Sequence, residues 1–105
     1  MSPEQQITER IENEESLARF AELEAAYLRA AAELVDALER ERRSIPPEVA
    51  ERAEQSLLVI DEAVRETRAA LANDPDNAAL AELALAAHRR KLEFLQRVRQ
   101  WSTES

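Results

Sequence analysis

The chain contains no glycine and no cysteine, and these two absences remove whole classes of fold and chemistry. Without cysteine there are no disulfides, no thiolate zinc sites and no cysteine nucleophiles. Without glycine there is no phosphate-cradling loop, and the tight hairpins that need positive φ lose their usual residue. Long apolar runs are missing too. The longest, Leu57-Leu58-Val59-Ile60, falls far short of the ~20 residues that cross a bilayer. The N-terminus has neither the basic nor the apolar region of a signal peptide. Aromatics amount to 4% of the 105 residues, and His88 is the only histidine.

What is present is helix-forming and acidic. Hydrophobic residues make up 45% and charged residues 34%, a profile close to that of long helices. A chain of this length makes one domain with a modest core. The net charge of −8 repels a phosphate backbone and argues against nucleic-acid binding. Residues 78 to 105 nonetheless carry five cations against three carboxylates, a net of +2, which leaves −10 on residues 1 to 77. Cations near a helix C-terminus complement its dipole, as Arg40, Arg42 and Arg43 also would.

Two proline-containing breaks divide the chain into three helices, expected at roughly 4–43, 47–73 and 75–101. At Ser44-Ile45-Pro46-Pro47-Glu48 the prolines end one helix and suit the first turn of the next. At Asn73-Asp74-Pro75-Asp76-Asn77, Asp74 is the expected cap and Pro75 the first helical residue.

Apolar periodicity sets the expected core. In the middle helix Val49, Ala53, Leu57, Ile60, Val64, Thr67 and Leu71 keep one stripe, with Leu58 and Ala63 widening it. The third helix repeats the pattern through Leu80, Leu83, Ala84, Ala87, Phe94, Val98 and Trp101, with Leu92 and Leu95. Lys91 falls on that seam, where its stem can lie on apolar surface while the ammonium reaches water or a carboxylate. The first helix offers Leu17, Phe20, Tyr27, Leu28, Ala31, Leu34, Val35 and Leu38, with Leu23 at the edge. Its alanines at 25, 26, 30, 31 and 32 should let a neighbour approach closely. These stripes predict an all-α, antiparallel three-helix bundle of long, coiled-coil-like helices.

Residues 1–16 read as a charged helical extension ahead of a three-helix domain at 17–105. At 1.5 Å per residue the first helix outreaches the others by roughly 20 Å. Ile7 and Ile11 form an i,i+4 pair in this stretch. An isolated charged helix has little reason to order alone, so docking on another subunit or continuation of an upstream structure is expected.

Catalytic groupings do not assemble from the sequence. The residue three before His88 is Leu85, so the Glu-x-x-His pair of di-metal bundles is absent, and no second histidine completes a zinc hydrolase motif. His88 is expected at the border of the apolar face with one ring nitrogen in solvent. Adjacent carboxylates such as Asp61 and Glu62 point about 100° apart and do not converge on one substrate. The expectation is therefore no enzyme, no cofactor and no metal, with protein contact as the activity. Ile7, Ile11, Leu17 and Trp101 are the candidate interaction residues, and a second copy of the chain is a candidate partner.

The order Ile60-Asp61, Ala63-Val64-Arg65-Glu66, Ala69-Ala70-Leu71, Asn73-Asp74-Pro75 and His88-Arg89-Arg90-Lys91-Leu92-Glu93-Phe94-Leu95 resembles the C-terminal helical region of bacterial membrane-anchored, zinc-finger anti-sigma-factor-like proteins. The likeness covers residues 57–97. It implies an extracytoplasmic sensing or interaction domain on the periplasmic side of the inner membrane, with helix one leading toward the membrane. No zinc ligand is carried over, because the cysteine-histidine head and the membrane span are not in this chain. The alternative expectation is a cytoplasmic adaptor that oligomerises through its first helix. The Ala69 to Ala79 junction also looks like that of a tetratricopeptide repeat, but no second copy follows at the 34-residue period.

Overall fold

The computed structural model describes the backbone of residues 2–104 and the side chains of residues 2–101 other than 11 and 13. Three helices form: α1 (Pro3–Arg40), α2 (Pro47–Asn73) and α3 (Ala78–Glu104), with a 3₁₀ turn at Arg42–Ser44. No strand occurs among the described residues. No described residue takes positive φ, so the chain turns twice without needing glycine.

Each helix start has a local cause. Ser2 and Gln5 make a capping box: the Ser2 hydroxyl accepts from the Gln5 amide at 3.3 Å, and the Gln5 side chain accepts from the Ser2 amide at 3.2 Å. Pro47 occupies the first turn of α2, where the Pro46 carbonyl accepts from the amides of Val49 and Ala50. The start of α3 departs from expectation. Pro75 and Asp76 form a turn closed by the Asn77 amide on the Asp74 carbonyl at 3.1 Å, and the helix begins at Ala78. Asn77, not Asp74, is the cap, its side-chain oxygen accepting from the Leu80 amide at 3.1 Å. Asp74 instead holds the Asn77 side-chain amide at 3.0 Å, which aims that oxygen into the helix.

The side-chain pairings fix the topology. Glu24, Tyr27 and Glu41 of the first segment meet His88, Arg89 and Arg99, so α1 and α3 run parallel. Asp61 meets Lys91 while Val49 lies by Trp101, so α2 runs antiparallel to α3. The chain goes up, down and up, and α3 packs closely against both other helices.

The core is built of small residues. Ala31, Ala37, Ala84, Ala87, Leu71, Leu95 and Val98 are buried, and Leu95 is only 2% exposed. Alanine at the contact lets helix axes come near the short end of the usual 8–10 Å range. The larger residues of the stripes, Phe20, Tyr27, Leu57, Ile60, Val64 and Phe94, are half-buried around that seam. Thr67 fits the stripe because its hydroxyl donates to its own helix, to the carbonyls of Ala63 and Val64, both at 3.0 Å.

Six residues expected on or beside the stripes lie outside. Leu28 is 50% exposed and Leu58 67%, and Leu17, Leu23, Leu83 and Trp101 are exposed as well. Leu28 and Leu58 each sit one residue past a stripe member, Tyr27 and Leu57, and a 100° step carries a side chain off a face this narrow. The alanine cluster of α1 divides likewise: Ala31 is buried while Ala26 and Ala32 are exposed.

The molecule is a rod, 62 × 19 × 16 Å, with a radius of gyration of 17.9 Å against about 13 Å for a compact chain of this length. Its accessible surface is 7765 Å², where the scaling for compact monomers gives about 6,000 Å². Truncating the core should therefore separate sharply from truncating the stripe margin. Leu95→Ala should lose about 2–4 kcal/mol of unfolding free energy in urea, and Leu58→Ala less than about 0.5 kcal/mol. Equal losses at the two sites would contradict this packing.

Candidate interaction surface

The 38 residues of α1 exceed the 27 of each other helix by 11, and the excess lies at the N-terminal end. The α2–α3 turn, at Pro75 and Asn77, is level with Ser16, Leu17 and Phe20. Helix before about residue 14 therefore continues for roughly 18 Å beyond its neighbours. The overhang is a regular helix with its own capping box, a start signal present in Ser2-Pro3-Glu4-Gln5 that periodicity alone passes over.

The four candidate interaction residues do not converge. Ile7 stands on the overhang, 56% exposed. The Ile11 side chain lies outside the described residues. Leu17 lines a groove between α1 and the start of α3, with Phe20, Leu23, Ala81 and Leu85. Trp101 is at the far end of the rod, 49% exposed, beside Val49, Ala53 and Phe94. Ile7 and Leu17 belong to one end, Trp101 to the other.

Behind this surface, one polar cluster ties all three helices together. Glu24 of α1 accepts through one carboxylate oxygen from His88 Nε2 of α3 and from Arg68 Nε of α2, each at 3.1 Å. Because a carboxylate paired with arginine can only accept, Nε2 of His88 carries the proton. His88 is 4% exposed, so it is not at the solvent border that periodicity predicts. The carboxylate on the facing helix explains the difference: it satisfies a ring nitrogen that would otherwise need water. Such a partner, 64 residues away in sequence, leaves no local signal. The imidazole presents almost no surface to a substrate, and its visible effect is to hold register.

Other pairs are peripheral. Lys91 Nζ reaches Asp61 at 2.8 Å, as its place on the seam suggests. Arg89 donates to the Tyr27 hydroxyl at 3.4 Å, and that bond raises its guanidinium above the ordinary value. Arg65 is raised in the same sense by its bond to Glu62. Both guanidinium groups are charged at any working pH regardless. Arg42 and Glu54, at 3.2 Å in full solvent, contribute little.

Among the described residues no group of three His, Asp or Glu side chains is arranged to hold a metal, and no helix is long and apolar enough to cross a membrane. Comparison with protein-family models, curated proteins and solved structures returned no match.

The cluster makes a graded prediction for unfolding in urea. Glu24→Ala, which strips His88 of its partner, should cost about 1–3 kcal/mol. Arg68→Ala, at a half-exposed site, should cost less than about 1 kcal/mol. A double-mutant cycle between Glu24 and His88 should show coupling above about 0.5 kcal/mol. Strict additivity would mean that the bond does no structural work.

Proposed function

We propose that this chain is a non-catalytic protein-interaction module whose working surface is α1, from the overhang at Ile7 to the exposed Leu28. One observation carries the reading: the longest helix keeps its first dozen residues and an outward apolar face without any companion in its own chain. Four of the eight exposed large apolar residues among those described, Ile7, Leu17, Leu23 and Leu28, stand on α1, and apolar residues exposed along one element are the mark of a contact surface. The buried, carboxylate-bound state of His88 agrees with a structural rather than a chemical role for the only histidine.

The likeness of residues 57–97 to the extracytoplasmic region of anti-sigma-factor-like membrane proteins extends the proposal to a place and a task. There, α1 would lead toward the inner membrane of a bacterium, and a partner on its surface would alter packing along that helix. The rival reading, a cytoplasmic adaptor that oligomerises through its first helix, uses the same surface. Protease access from the periplasmic side separates them.

Photo-reactive side chains introduced in cells test the surface itself. Probes replacing Ile7 or Leu28 should yield crosslinked protein, and a probe replacing Leu58 on α2 should not. Crosslinking at Leu58 with silence at both α1 positions would overturn the assignment.

A further inference from the structure

The outward face of α1 has a second, independent period. Ile7, Ala18, Ala21, Ala25, Leu28 and Ala32 fall on one line at alternating steps of three and four, with positions 11 and 14 completing it between Ile7 and Ala18. This is a heptad seam across seven turns, and its mean direction lies roughly 120° around the helix from that of Tyr27, Ala31 and Leu38, which face α3 or the groove above it. Ile7, Ala18, Ala21, Leu28 and Ala32 are exposed and Ala25 is half-buried. A helix turned toward water on that side needs no heptad.

We propose that this seam pairs with the same seam of a second copy of the chain, the two α1 helices running antiparallel about a point between Ala18 and Ala21. The proposal rests on the reading of α1 as the working surface and names its partner. Area is the first argument. The chain exposes 7765 Å², about 1,800 Å² more than a compact monomer of its mass, whereas a stable interface takes about 800 Å² from each partner.

Register is the second. In the antiparallel arrangement Ile7 faces Ala32 of the second copy, Glu14 faces Ala25, and Ala18 faces Ala21. Ile7 is thus set against an alanine at each end, with alanine at the centre where the axes come closest. Orientation is decided by Glu14, the one charged position on the line. Side by side in a parallel pair, Glu14 would meet its own copy in the seam. Reversed, it lies against Ala25, and its carboxylate can reach water at the margin. The overhang supplies the third argument. Reversal lays the unsupported first turns of each α1 along the bundle-backed part of the other, so the stretch without a companion in its own chain gains one.

The absence of cysteine makes the test direct. Sedimentation of the intact chain should approach twice 11.9 kDa as the concentration is raised to about 1 mM. Ala21→Glu should weaken association at least tenfold while leaving the helicity and melting of the dilute, monomeric chain unchanged, since Ala21 is exposed. An oxidised mixture of Ile7→Cys and Ala32→Cys chains should form crossed 7–32 disulfides in preference to 7–7 or 32–32. A monomer across that range, an Ala21→Glu variant that dimerises normally, or dominant 7–7 crosslinks would each overturn the proposal. A monomer whose α1 probes still crosslink to another protein would end self-pairing and leave the wider reading standing.

Discussion

The contact between small side chains along α3 is the constraint on which the rest of the structure depends. Ala84, Ala87, Leu95 and Val98 are buried on a single helix, with Ala31 and Ala37 on α1 and Leu71 on α2 completing the interior. Alanine brings backbones close, so dispersion contacts are dense, but little apolar area is removed from water for each residue ordered. A seam of this kind makes a thin rod. It leaves the larger apolar residues half-covered at its margins, and it gives α3 both neighbours while α1 keeps a side free.

Polar links supplement that thin core where it could slide. Apolar stripes alone tolerate a shift by one turn, whereas Glu24 can bond His88 and Arg68 together in only one register of the three helices. The Asp61–Lys91 pair does the same for α2 against α3. Burying His88 would be unfavourable without the carboxylate, and the carboxylate would be less well held without Arg68, so the three act as a unit. This specificity role costs little surface and explains why the inner face of α3 carries a histidine in its middle.

Much of this was legible in the residues, and the failures have common causes. The α2 stripe from Val49 to Leu71 is correct at every position because its spacing is regular and one neighbour, α3, defines its inner face. Leu28, Leu58 and Leu83 misled because an apolar side chain next to a stripe reads as a wider stripe, while a core made of alanine admits only a narrow one. His88 and Glu24 could not be paired from sequence, since nothing local joins residues on parallel helices two elements apart. Asn77 is the cap in place of Asp74 because Pro75 and Asp76 are taken up by a turn that delays the helix to Ala78, a competition between two good local solutions. The free end of α1 was readable from helix lengths alone. The heptad on its outer side was hidden by the same alanines that read as core.

Residue-resolved hydrogen exchange on dilute, monomeric chain tests the central arrangement most directly. With α3 clasped by both other helices, the slowest amides should lie between Ala84 and Val98, and those of α1 before about residue 14 should exchange fastest among helical sites. Protection that is greatest in the overhang, or weaker in the middle of α3 than in α1 and α2, would contradict a fold organised around that helix.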